Sequence, residues 1–316
     1  MTHRLTMAFS ATAILSCVPL AAQTPAPKTT PAKTAAAKTG KAWTAPRTPD
    51  GHPDLQGVWS YITATPLETP GGLGNSLLRQ EEADNPVGNY NQQFYDARPA
   101  TPKDRPPSQV IDPPDGHLPP LTAAGLKRQA AYAEKVLRPA QGPEDRPLFE
   151  RCLVGFNTGP PIVPGGYNQH LQIFETPGTV ALYTEMIHST RVVPMDGRPH
   201  GTVRQWNGDP RGHWEGDTLV VDSTNFTEQG TGTLMLPVPM DEHLHLTERY
   251  SLLDDKTLLY QYTVDDPTVW TKPWSAQLYM TRADEQLYEY ACHEGNYAMP
   301  GILAGARLDE NKSAGK

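Results

Sequence analysis

Positive charge is scarce in this chain. Its 27 Lys and Arg stand against 35 Asp and Glu, a net charge of −8. Phosphate binding wants a basic face, so this balance argues against a nucleic-acid partner. Long apolar runs are missing beyond the first twenty residues, so no transmembrane segment is expected there. The sequence holds no GxSxG nucleophile elbow, no P-loop and no dinucleotide-binding glycine fingerprint after a strand. Those absences count against serine-hydrolase, NTPase and nicotinamide chemistry. No HExxH or CxxC spacing marks a metal, and no organic cofactor is expected.

Cysteine is also sparse, at three residues. The N-terminus reads as a secretory signal: Arg4 supplies the basic region, Leu5 to Leu20 an apolar stretch too short to span a bilayer, and Ala21-Ala22 small residues for cleavage. Ile14-Leu15-Ser16-Cys17 fits a lipoprotein box poorly at Leu15 and Ser16, so lipidation is not the expectation. Cys17 leaves with a signal cleaved near Ala22. Cys152 and Cys292 then remain, and in a periplasmic or secreted chain they suggest one disulfide; two buried thiols or a reactive thiol are the other readings.

Proline, by contrast, is abundant: 33 residues, most of them before residue 151. Residues 23–48 carry Lys28, Lys33, Lys38, Lys41 and Arg47 without an acid and read as a disordered tether. Residues 49–316 read as one folded domain, in which 49–165 form a loop-rich wrap and 166–310 a β core. One main helix is expected over 121–138, capped by Thr122, with Leu126, Ala130, Ala133 and Leu137 as its packing stripe. From residue 168 onward, short alternating segments are separated by turn signals such as Pro177-Gly178 and Asp196-Gly197. The expected strands include His243–Leu252 and Gln286–Cys292. An antiparallel barrel or strongly curved sheet is the natural closure, since it leaves few exposed edges.

Leu55-Gln56-Gly57-Val58-Trp59 resembles the first-strand signature of lipocalin and calycin barrels. That resemblance implies a glycine passed closely by backbone and a tryptophan that plugs one barrel end, stacked on an arginine of the last strand. An ordinary buried tryptophan is the alternative. Longer stretches carry a second resemblance. Thr48-Pro49-Asp50-Gly51-His52-Pro53-Asp54-Leu55-Gln56-Gly57-Val58-Trp59, the run Gly208 to Asp217 (GDPRGHWEGD) and Tyr290-Ala291-Cys292-His293-Glu294-Gly295-Asn296-Tyr297 are similar to a large family of secreted bacterial proteins. No activity is attached to that family. The likeness implies export and a single folded unit, and assigns no catalytic residue.

Seven histidines lie at or after residue 170: His170, His188, His200, His213, His243, His245 and His293. Histidine suits proton transfer near neutral pH and metal ligation. His213 and Glu215 share a face if their segment is extended, which pairs an imidazole with a carboxylate that can orient it. Arg191 or Arg211 would supply an anion or oxyanion contact. Trp206, Trp214, Trp59, Tyr183, His188 and His293 are candidate substrate-binding residues. His243 and His245, two apart on an expected strand, would point to one face and could hold a divalent metal with a third ligand, or simply form a solvent face.

The expectation is thus an exported enzyme acting on a small aromatic, terpenoid or sugar-like compound by histidine–carboxylate acid–base chemistry, as a lyase, hydrolase or isomerase. A non-catalytic calycin-like carrier of an apolar ligand is the alternative, and a metal-dependent enzyme built on His243 and His245 the third reading. Oligomeric state is not set by the sequence.

Overall fold

The computed structural model describes residues 43–69, 105–227, 236, 238–240 and 242–314. The expected signal peptide and all but the last residues of the expected tether lie outside them. Those last residues belong to the fold instead: Arg47 is paired with Asp217 at 2.7 Å.

Ten strands and two α-helices are present among the described residues. They are β1 (Gly57–Ser60), β2 (Val110–Asp112), α1 (Ala123–Leu137), β3 (His170–Thr176), β4 (Thr179–Thr184), β5 (Thr190–Pro194), β6 (Asp209–Glu215), β7 (Thr218–Thr224), β8 (His245–Leu252), β9 (Thr257–Asp265), β10 (Trp274–Ala283) and α2 (Ala298–Ala314). The strands form one antiparallel sheet in the order β5-β4-β3-β1-β10-β9-β8-β7-β6, with β2 added to the start of β10. Apolar and polar residues alternate along β8 and β9, so one face of each is buried and the other wet.

The sheet curls until its two edge strands meet. A Cβ on Gly212 of β6 would come within 2.8 Å of Val193 Cγ1 on β5, so only glycine permits this approach. No hydrogen-bonded ladder joins β5 to β6 among the described residues. The fold is therefore the strongly curved sheet, not a closed barrel. Its concave side is filled by side chains. Trp59, Tyr250, Tyr260, Tyr262, Trp270 and Trp274 are each at most 1% exposed. Trp270 and Trp274 are packed edge to face in this core.

Arg282 of β10, the last strand, lies 4.3 Å from the Trp59 ring centroid. Its Nη1 donates to Gln56 O at 3.0 Å. Gly57 has a φ of 126°, and a Cβ there would sit 2.5 Å from Arg282 Nη1.

Helix α1 forms where expected, and the Thr122 hydroxyl accepts Gly125 N–H at 2.9 Å. Its packing stripe differs from the expected one. Leu126 and Leu137 are 55% and 85% exposed. The inward face is Gly125, Arg128, Gln129, Tyr132 and Val136. Polar anchors set this orientation: Thr122 donates to Thr268 O and Arg146 to Val136 O. Residues 286–292 form no strand, and the second helix, α2, follows instead, started by Asn296, whose side chain accepts Ala298 N–H. Cys152 and Cys292 form a disulfide that ties this C-terminal segment to the turn before β3.

Candidate functional site

At one end of the curved sheet the β3–β4 turn, the C-terminal end of β6 and the loop 48–56 enclose a cavity of about 450 Å³. Thr48, Asp50, His52, Gln56, Glu175, Met195, His213 and Trp214 are among its lining residues. The loop is folded on itself: Thr48 and Gly51 N–H groups donate within it, and the Thr48 hydroxyl donates to Asp50. This presents His52 flat against Trp214, ring centroids 4.8 Å apart and 4° from parallel. Trp214 in turn packs on the core.

Glu175 is the acid of this cavity. It continues the inward row of β3 after Leu171 and Ile173, both fully buried. Its Oε1 accepts Leu55 N–H at 2.7 Å. Loss of water raises the Glu175 carboxyl to about 7; the Leu55 hydrogen bond opposes this, and the nearby Asp54 and Asp50 charges add to it. Asp50 is held below its ordinary value, chiefly by the Thr48 hydroxyl. Two carboxyls lining one cavity are thus pushed apart, one titrating near neutrality and the other ionised there.

His213 is brought to this cavity with its expected partner. The segment is extended, so His213 and Glu215 share the outer face of β6, and His213 Nε2 lies 3.2 Å from Glu215 Oε1. Arg249 of β8 donates to Glu215 Oε2 at 2.7 Å. That contact first, then His213, keeps Glu215 ionised below its ordinary value. The dyad is open to water, with His213 and Glu215 side chains 57% and 49% exposed.

The other expected residues are distributed elsewhere. Arg191 is buried on the concave side, where its Nη2 donates to Glu248 Oε1 at 2.8 Å. Glu248 also accepts from the Tyr250 and Tyr260 hydroxyls. Burial pulls the Arg191 guanidinium down, but the Glu248 charge more than offsets this and keeps it protonated. Arg191 thus serves a core ion pair and does not reach His213. Arg211 is turned away to Pro199 O and Asp209. Trp206 is half-buried on the turn before β6, at the opposite end of that strand from the cavity, and Trp59 lies in the core. Tyr183 is half-buried on β4, His188 exposed on a left-handed turn, and His293 exposed beside the disulfide.

His243 precedes β8 and lies 3.9 Å from Glu242, while His245 opens β8 and bonds Asp222. The two rings thus have different partners. Among the described residues no group of three or more His, Cys, Asp or Glu is arranged to hold a metal ion. Asp222 also binds His200 Nε2 at 2.9 Å, so one carboxylate bridges two imidazoles on the outer face. Burial pushes the Asp222 carboxyl up, but its bonds to His245 and His200 bring it below the ordinary value.

Glu175 and His52 are the cavity residues that the sequence reading missed. A signal existed for both. In His170-Leu-Gln-Ile-Phe-Glu175, an acid takes the third inward position of an alternating strand. His52 lies within the TPDGHPDLQG motif itself.

No protein-family model and no curated protein sequence matches the chain. Among solved structures, a secretary abundant heat soluble (SAHS) protein from Ramazzottius varieornatus is similar over 43% of this chain and 87% of its own, with 11% identity and a TM-score of 0.26. A likeness at that level carries no argument about function.

Proposed function

We propose that the cavity at the end of the sheet is an active site for a small organic substrate, with Glu175 as general acid and His213 as general base. The observation that carries this reading is the convergence, in about 450 Å³, of a half-buried carboxyl, an imidazole and the flat His52–Trp214 stack. The stack offers a platform for a ring-shaped substrate, aromatic, terpenoid or sugar-like. Glu215 orients His213, and Arg249 holds Glu215. A proton given at one side of the substrate and taken at the other is the chemistry of a lyase, hydrolase or isomerase. The Cys152–Cys292 bridge supports an exported location, since such bonds persist in oxidising compartments.

The experiment is a turnover screen of the purified chain against sugars, aromatic ethers and terpenoids, followed by substitution. With the substrate so found, Glu175→Gln is expected to lower kcat by about 100-fold or more and Trp214→Ala to raise KM. As an acid, Glu175 gives a kcat that falls as pH rises through about 7. Unchanged kcat in Glu175→Gln, on a substrate whose KM responds to Trp214→Ala, overturns the assignment.

A further inference from the structure

Three residues without the freedom of glycine hold left-handed backbone around a second histidine–carboxylate pair, at the other end of β3. Asn168, Ile187 and His188 have φ values of 53°, 58° and 40°. A β-branched residue in this region is a conformational outlier, and strain of this kind gathers where surrounding contacts and function demand it. The contacts here converge on one carboxylate. His170 Nδ1 lies 2.7 Å from Glu185 Oε2, and Asn168 Nδ2 donates to Glu185 Oε1 at 2.9 Å. The Glu185 backbone N–H donates to His170 O at 3.0 Å, so main chain and side chains brace the same pair. Burial pushes the Glu185 carboxyl up, but the bonds from His170 and Asn168 more than offset this and keep it ionised.

We propose that His170 is a catalytic base, positioned by Glu185, that hydrolyses small neutral esters. An ionised carboxylate beside Nδ1 fixes the proton there and leaves the lone pair on Nε2. Nε2 takes part in no hydrogen bond or ion pair among the described residues, and the side chain keeps 17% exposure, so the ring is partly open to solvent. The charged contact of the ring is an anion, which favours an uncharged acyl compound over a carboxylate or phosphate ester. In the reaction, Nε2 takes a proton from a water as the water oxygen bonds to the acyl carbon. The ester C–O bond then breaks, and the departing oxygen leaves with the proton returned from Nε2. Glu185 stabilises the imidazolium formed between these transfers. This centre is separate from the cavity that holds Glu175.

The test uses the full chain and two probes, 4-nitrophenyl acetate and diethyl pyrocarbonate. His170→Gln is expected to lower acetate hydrolysis at least tenfold. Glu185→Gln is expected to lower kcat with KM unchanged, and His117→Gln, at a loop histidine before α1 that lies 3.9 Å from Glu68, to leave the rate as it is. Peptide mapping of the folded wild-type chain is expected to find the ethoxycarbonyl group on His170, with acylation there slowed at least tenfold in Glu185→Gln. The mapping on wild-type protein decides the matter even where a variant fails to fold. Full hydrolysis in His170→Gln, or an unmodified His170 in the wild-type chain, overturns the proposal.

Discussion

Glu175 occupies an inward position where the neighbouring rows are apolar, and its energetics follow from that position. Its folded-state carboxyl is raised to about 7, above the ordinary value it has in the unfolded chain. The folded chain therefore binds this proton more tightly than the unfolded chain does. The stability so gained is complete below about pH 4.5 and is lost as pH rises through about 7. Glu175→Gln, which keeps an acceptor for the Leu55 N–H, should flatten this dependence. At pH 8 it should be the more stable protein by about 1 kcal/mol, an amount reduced for the group's partial exposure. Urea unfolding at pH 5 and pH 8 measures the effect; parallel curves for both proteins would show that Glu175 titrates as an ordinary surface acid. Glu215, chosen from the sequence for its spacing from His213, has the opposite character: exposed, paired with Arg249 and firmly ionised.

Strand β5 is held to β8 by Arg191 and Glu248, which face each other across the concave side of the sheet. Removing one partner leaves a charge in the core. Arg191→Met should therefore cost about 3 to 5 kcal/mol, and Arg191→Met combined with Glu248→Leu should recover a substantial part of that loss. Equal destabilisation by the single and double substitutions, in thermal or urea unfolding, would show that the pair's charge is not what the core resists. Arg191 is also where the sequence reading went furthest from the structure. Its position on a strand is visible in the alternation, and its need for a partner inside a barrel is plain physics. That the partner is Glu248, 57 residues away, depends on how far the sheet curls. Helix α1 repeats the lesson. Its limits follow from Thr122 and Pro139, but its buried face is set by Thr268 and Arg146, which no helical period reveals.

Long-range ties among the described residues include the Arg47–Asp217 pair and the disulfide spanning 140 residues. A loop of that length loses much of its unfolded-state freedom when bridged, by about 5 kcal/mol in the chain-entropy treatment and often less in practice. Cys292→Ser should lower the unfolding free energy by about 2 to 5 kcal/mol and speed limited proteolysis after residue 284 relative to the parent chain. An unchanged urea midpoint, together with an uncut C-terminal segment, would show that the bridge constrains neither state.

Local chemistry was enough to establish the antiparallel β class, most strand positions, the helix at 123–137 and the His213–Glu215 pair. Each depends on residue spacing within one segment, and strand alternation or helix capping reads directly from neighbours. The cavity depends on segments brought together from positions 48–56, 175–180, 195 and 213–214. So does the raised acidity of Glu175, because desolvation belongs to a place in three dimensions and not to a residue type. The histidines show the same division. The sequence reveals that they crowd into the β half, while the folded chain brings His213 to the cavity and strand pairing joins His200 and His245 to Asp222 and His170 to Glu185, meetings that spacing along the chain does not reveal.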